Sequence, residues 1–143
     1  MNQKPSNAFV AASWVALFAG GIAYCVGLWN AHSMYLNEKG YYFTVLMYGL
    51  FSSVSLQKAV RDQLEGIRVT AIYLGISWFS LVLSILLLVI GLWNADLEKS
   101  EKGFYGMSFT LSIFAAIAVQ KNIRDIQAAD MLEKKDEHDD LKN

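Results

Sequence analysis

The side chains best suited to polar chemistry come in duplicate. Gln57-Lys58 with Arg61-Asp62 is matched by Gln120-Lys121 with Arg124-Asp125. Lys58, Arg61, Lys121 and Arg124 are cations that could hold anionic lipid headgroups or a cytosolic partner; the plainer reading is that they snorkel from helix ends and fix a membrane topology. On a helix, Lys58 and Asp62 lie one turn apart, as do Lys121 and Asp125, so each couple predicts an exposed ion pair of little worth to stability. Asn30, Asn94, Glu38 and Glu101 form a second duplicate, able either to meet as a polar mouth or to serve as two solvated turns. No Ser-His-Asp set, CxxC, HExxH or phosphate loop occurs, and His32 and His138 stand far apart. The residues assign no catalytic, cofactor or metal site, so the chain is expected not to be an enzyme.

Those polar elements punctuate an apolar chain. Of 143 residues, 55% are hydrophobic and only 17% charged, against about a quarter in soluble domains. No Asp, Glu, Lys, Arg or His occurs in 8–29, 41–57, 69–93 or 104–120. At about 1.5 Å per residue, such stretches reach roughly 25 to 37 Å as helices, which brackets the hydrocarbon thickness of a bilayer. They lack the alternation of a membrane barrel, so four transmembrane helices are expected. The second and fourth are short, and for them a soluble core helix is the alternative. Charge-free spans lack the buried carboxylates that mark proton and ion relays. Cys25 sits in an apolar run and reads as a small hydrophobe. A net charge of −1 argues against nucleic acid as a partner.

The chain is a repeat. At an offset of 64, Ser13-Trp14 falls on Ser77-Trp78 and Gly27-Leu28-Trp29-Asn30-Ala31 on Gly91-Leu92-Trp93-Asn94-Ala95. At 63, Glu38-Lys39-Gly40 falls on Glu101-Lys102-Gly103, and the cationic elements then align. Two tandem parallel two-helix hairpins follow, over 8–62 and 69–125, between a short N-terminal segment (1–7), a linker (63–68) and an acidic tail (126–143), related by a pseudo-twofold axis along the membrane normal. The first span mirrors the third, which lies mid-chain, so the first is expected to be retained rather than cleaved as a signal. Lys4, Lys58, Arg61, Arg68, Lys121 and Arg124 fall on one side, and only Lys39, Lys99 and Lys102 on the other. The positive side, with both termini, is expected to be cytoplasmic.

Trp14, Trp29, Trp78 and Trp93 read as interface anchors, and the asparagine after Trp29 and Trp93 as a helix stop through the left-handed conformation. Gly40 and Gly103 would ease the bend before the returning helix. Small residues predict the packing faces: Ala12, Ala16 and Gly20 in the first span, Gly49 and Ser53 in the second, Ser80 and Ser84 in the third, Ser112 and Ala116 in the fourth. These rows could serve a four-helix bundle or a homodimer. The tail carries six acidic and three basic residues and reads as a frayed helix running into disorder.

The doubled GLWNA, EKG[YF]Y and QKx[VI]RD elements, spanning Ser13 to Asp125, resemble the YiaA/YiaB family of small bacterial inner-membrane proteins, whose members carry the YiaAB two-helix domain. The resemblance covers two tandem copies of that domain. The resemblance implies a cytoplasmic-membrane location and no activity, cofactor or site residue. Two functions fit the residues: a non-enzymatic accessory or scaffold acting through helix faces or the basic loop, with membrane lipids, a second copy or another membrane protein as partners; or a passive channel for neutral or weakly polar solutes. The channel would be formed by a dimer and lined by Thr44, Ser52, Ser53, Ser55, Ser108, Thr110 and Ser112.

Overall fold

A computed structural model describes residues 4–143 as four α-helices, with no strand among them: α1 (Asn7–Trp29), α2 (Leu36–Leu64), α3 (Ala71–Asn94) and α4 (Lys99–Lys142). The repeat governs where they start. The Ser6 hydroxyl accepts from the Phe9 amide and the Thr70 hydroxyl from the Tyr73 amide, both at 3.2 Å, so α1 and α3 open with equivalent N-caps. It also governs where they stop, although not as the sequence suggests. Among the described residues no non-glycine residue has positive φ. Instead the Asn30 side-chain amide donates to the Val26 carbonyl (3.0 Å), which also accepts from the Asn30 backbone amide, and that of Asn94 donates to Ile90 (2.9 Å), so each asparagine folds back onto the last turn. Gly40 and Gly103 lie inside α2 and α4, and the residue that turns the chain is Gly66, at φ +77°.

The hairpin is the unit of sequence but not the unit of packing. α1 packs chiefly on α4 and α3 chiefly on α2, each first helix against the second helix of the other repeat. α2 and α4 touch as a central pair, whereas α1 and α3 flank it without touching each other. The repeats therefore interlock, and neither can form its main interface alone. Glycine makes the exchange possible in equivalent places: a Cβ on Gly27 would lie 2.7 Å from the Phe104 ring, and one on Gly91 would lie 2.7 Å from the Tyr41 ring. Tyr42 stacks on its own sequence counterpart Tyr105, with centroids 6.2 Å apart and planes 15° apart.

Small residues line these seams selectively. Gly20, Gly49, Ser53, Ser84, Ser112 and Ala116 are buried, and Ala16 and Ser80 are partly so. Ala12 is exposed, which corrects its assignment to a packing face: α1 buries the row Ser13, Gly20, Tyr24 and Leu28. The outer wall is apolar. In α1 and α3 only 17% of the most apolar window is covered by protein, and Phe18, Ile22, Phe51, Phe79, Met107 and Phe114 all point outward. By length and composition α1, α3 and α4 can each cross a membrane. α2 is less apolar because Tyr41, Tyr42, Tyr48, Ser52, Ser53 and Ser55 dilute its charge-free stretch.

The tail departs from expectation. α4 does not fray after Ile126 but runs as one helix to Lys142. Lys4 pairs with Asp130 at 3.1 Å, and Ala129 is buried, so the first turn past the bundle is tied to the N-terminal segment. Beyond it the helix projects as an exposed arm, and from Arg124 to its end it extends about 27 Å.

Candidate functional site

At the end of the bundle that holds Lys4, α2 and α4 run past their apolar stretches and bring the duplicated cationic elements together. The ion pairs within each helix form as their spacing requires: Lys58 to Asp62 at 2.8 Å and Lys121 to Asp125 at 2.7 Å. They are not isolated surface pairs. Arg61 reaches across to Asp125 at 2.6 Å and Arg124 across to Asp62 at 2.7 Å, so each arginine holds the other repeat's aspartate. Sequence spacing could not show this reciprocal clasp, because its partners are 62 to 64 positions apart; only the duplication of Arg-Asp at matched positions hints at it. Glu65 breaks the symmetry by accepting from Arg61 and Arg124, both at 2.7 Å; the matched position in the second repeat is Ala128.

Burial separates the four cations into two classes. The arginine side chains are only 18% and 15% exposed, whereas those of Lys58 and Lys121 are 54% and 56% exposed. The guanidinium groups are engaged by protein carboxylates, so an anionic headgroup would have to displace them, and only the lysines face outward. Hydrogen bonds from Lys58 and Arg124 hold Asp62 below the usual carboxylate range, and bonds from Arg124 and Arg61 do the same for Glu65. For Asp125, burial raises the pKa, but hydrogen bonds from Lys121 and Arg61 outweigh it and the net shift is downward.

A pH dependence follows with a definite sign. Carboxyls lowered on folding add stability that is complete above their unfolded pKa values, about 4, and is lost as pH falls through the lower folded values. The melting temperature in detergent should be flat from about pH 8 to 5 and fall below about 4, and Asp62→Asn should flatten that fall. A decline beginning near pH 6 would assign the effect to other groups.

At the opposite end the asparagines and glutamates meet, though not in one mouth. Asn30 joins Glu101 in a cavity of about 510 Å³ with Gly27, Phe104 and Tyr105. Asn94 joins Glu38 in one of about 660 Å³ with Gly91, Tyr41 and Tyr42. Each cavity thus takes its asparagine from one repeat and its glutamate from the other. Trp29 and Trp93 stand beside them, 83% and 82% exposed, and Trp14 and Trp78 lie exposed further along α1 and α3. Among the described residues no group of His, Cys, Asp or Glu is arranged to hold a metal.

The hydroxyls of the central pair turn back on their own helices. Ser52 donates to Gly49, Ser53 to Leu50, Ser108 to Phe104, Ser112 to Ser108 and Thr110 to Gly106. Ser52, Ser53, Ser108 and Ser112 lie in helix seams, while Thr44 and Thr110 face outward and Ser55 is half-buried.

Comparison with known proteins matches the same duplicated pattern. The model of the yiaA/B two helix domain fits twice, over residues 9–62 and 73–125. The chain is 58% identical over 120 residues to the inner membrane protein YiaA of Escherichia coli (strain K12), covering 84% of this chain and 82% of that one. It is 36% identical over 69 residues to the uncharacterized membrane protein YubF of Bacillus subtilis (strain 168), covering 48% of this chain and 79% of the relative. No solved structure matches.

Proposed function

The chain belongs to the yiaA/B two-helix-domain family, and on that premise we propose that it is a non-enzymatic scaffold of the bacterial cytoplasmic membrane, crossing it with all four helices and presenting the end of α4 to the cytosol. The observation that carries this reading is the unbroken helix of α4, which rises from an apolar wall, passes the ion clasp and continues as a charged arm. An arm anchored at its base by a partly buried network has a defined direction, which suits a docking element better than a loose tail does. The excess of Lys and Arg at the clasp end supports a cytoplasmic position for the clasp, both termini and the arm.

The hydroxyl pattern weighs against the channel reading. Serines that donate to carbonyls one turn back and lie in closed seams offer no continuous row of free groups to a solute. Photo-crosslinking in cells from Glu137 should trap a reproducible protein partner, the co-purification of that partner with the chain should be lost on truncation after Ala128 with insertion unchanged, and a reporter near Tyr35 should be periplasmic. Protein in liposomes should pass neither glycerol nor urea. Flux abolished by Ser53→Leu and Ser112→Leu would sink the scaffold reading in favour of a solute path, and a cytoplasmic reporter at Tyr35 would invert the orientation.

A further inference from the structure

The repeats retain identity at two levels and diverge between them. The clasp accounts for the first level. At the second, Gly27 and Gly91 are needed for close approach of aromatic rings, the asparagine amides cap α1 and α3, and Tyr42 and Tyr105 stack. Glu38 and Glu101 remain unexplained: both are exposed, and neither makes a hydrogen bond or ion pair among the described residues. A carboxylate in a helix's first turn favours the positive end of its dipole. That accounts for its position along the helix but not for the pairing of each glutamate with the other repeat's asparagine in a cavity.

We propose that the two cavities are binding sites for an organic ammonium group. Each offers a free carboxylate, an asparagine Oδ1 whose amide nitrogen is already committed to capping, and an exposed aromatic ring, Phe104 or Tyr41, with its electron-rich π face. All of these attract a cation, and no Lys or Arg lines either cavity. One carboxylate in the first cavity, or two in the second, beside an aromatic wall is poor in charged oxygen ligands for a hard metal ion and well matched to an alkylammonium. The exposed Trp29 and Trp93 put both cavities at the depth of lipid headgroups. The ammonium can therefore come from an amine-bearing phospholipid or from a free amine. Where the first cavity has His32 the second has Asp96, so the second should bind more tightly. This site lies at the end away from the arm and goes beyond the scaffold reading; it stands whether or not the arm has a partner.

The test uses the full chain in uncharged detergent. Native mass spectrometry after exposure to an equal mixture of phosphatidylethanolamine and phosphatidylglycerol reads the lipid source, and saturation-transfer NMR with ethanolamine reads the free one. Retention of up to two phosphatidylethanolamines in preference to phosphatidylglycerol is expected, falling at least fivefold in Glu38→Gln/Glu101→Gln, with Glu38→Gln alone costing more than Glu101→Gln. An ethanolamine signal that falls in the double variant without lipid retention would identify the ligand as a soluble amine. Should the double variant misfold, Asp96→Asn interrogates the second cavity and should weaken binding there. Equal retention of the two lipids, or binding of both probes that neither variant alters, would overturn the proposal.

Discussion

Gly20→Ala should destabilise the protein by about 1 to 3 kcal/mol, while Gly21→Ala, one residue away, should be neutral or slightly stabilising. A Cβ on Gly20 would lie 2.7 Å from the Ser112 Oγ and 3.0 Å from both the Ser108 carbonyl oxygen and the Ser112 amide nitrogen. Two of those three atoms are backbone and cannot rotate aside, so α1 and α4 must separate along the seam that holds the repeats together. A Cβ on Gly21 would meet nothing within 4 Å. Gly49→Ala belongs between them: its 2.8 Å and 2.9 Å neighbours are the tips of the Phe109 and Ile113 side chains, which can yield. Thermal melts of the three variants in one detergent check the order. Equal stability of Gly20→Ala and Gly21→Ala would show that α1 does not sit against α4 at that point.

That contrast also marks how far the sequence could be read. Helix existence, the repeat and the small-residue content were legible because lipid-length charge-free runs and doubled motifs are local patterns. Which helix pairs with which was not: the hairpin in sequence suggests α1 against α2, yet the largest seams join different repeats. Spacing marks Ala12, Ala16 and Gly20 as equivalent, whereas the structure buries Gly20 and exposes Ala12, because helix crossing, not composition, decides which part of a row is covered. Lys58 and Lys121 were legible as partners of Asp62 and Asp125 through the helical repeat. The turn of Arg61 and Arg124 across the central pair was not, since a one-turn rule carries no information on contacts between helices. For the tail, composition argues for disorder, and helical continuation from a bundle-anchored first turn overrides it.

Removing Arg124 should cost more than removing Arg61, although the two are counterparts. Arg124 holds Asp62, whose side chain is 8% exposed, whereas Arg61 holds Asp125, which is 15% exposed. Both also bond Glu65, so that contact does not separate them. Breaking a fully buried pair costs about 3 to 5 kcal/mol, because the remaining charge is stranded. Here Lys58 still pairs with Asp62 and the rim is open to water, so about 2 kcal/mol is expected for Arg124→Ala, and less for Arg61→Ala. The stranded carboxylate, more than the lost attraction, is responsible for the deficit. It follows that Arg124→Ala/Asp62→Asn should recover much of what Arg124→Ala loses, and a double-mutant cycle should show coupling between the two positions despite their separation in sequence. Chemical or thermal unfolding of the four cycle members in detergent measures this. Strictly additive losses would mean that the clasp does not join the repeats, and the defined direction of the α4 arm would lose its physical basis.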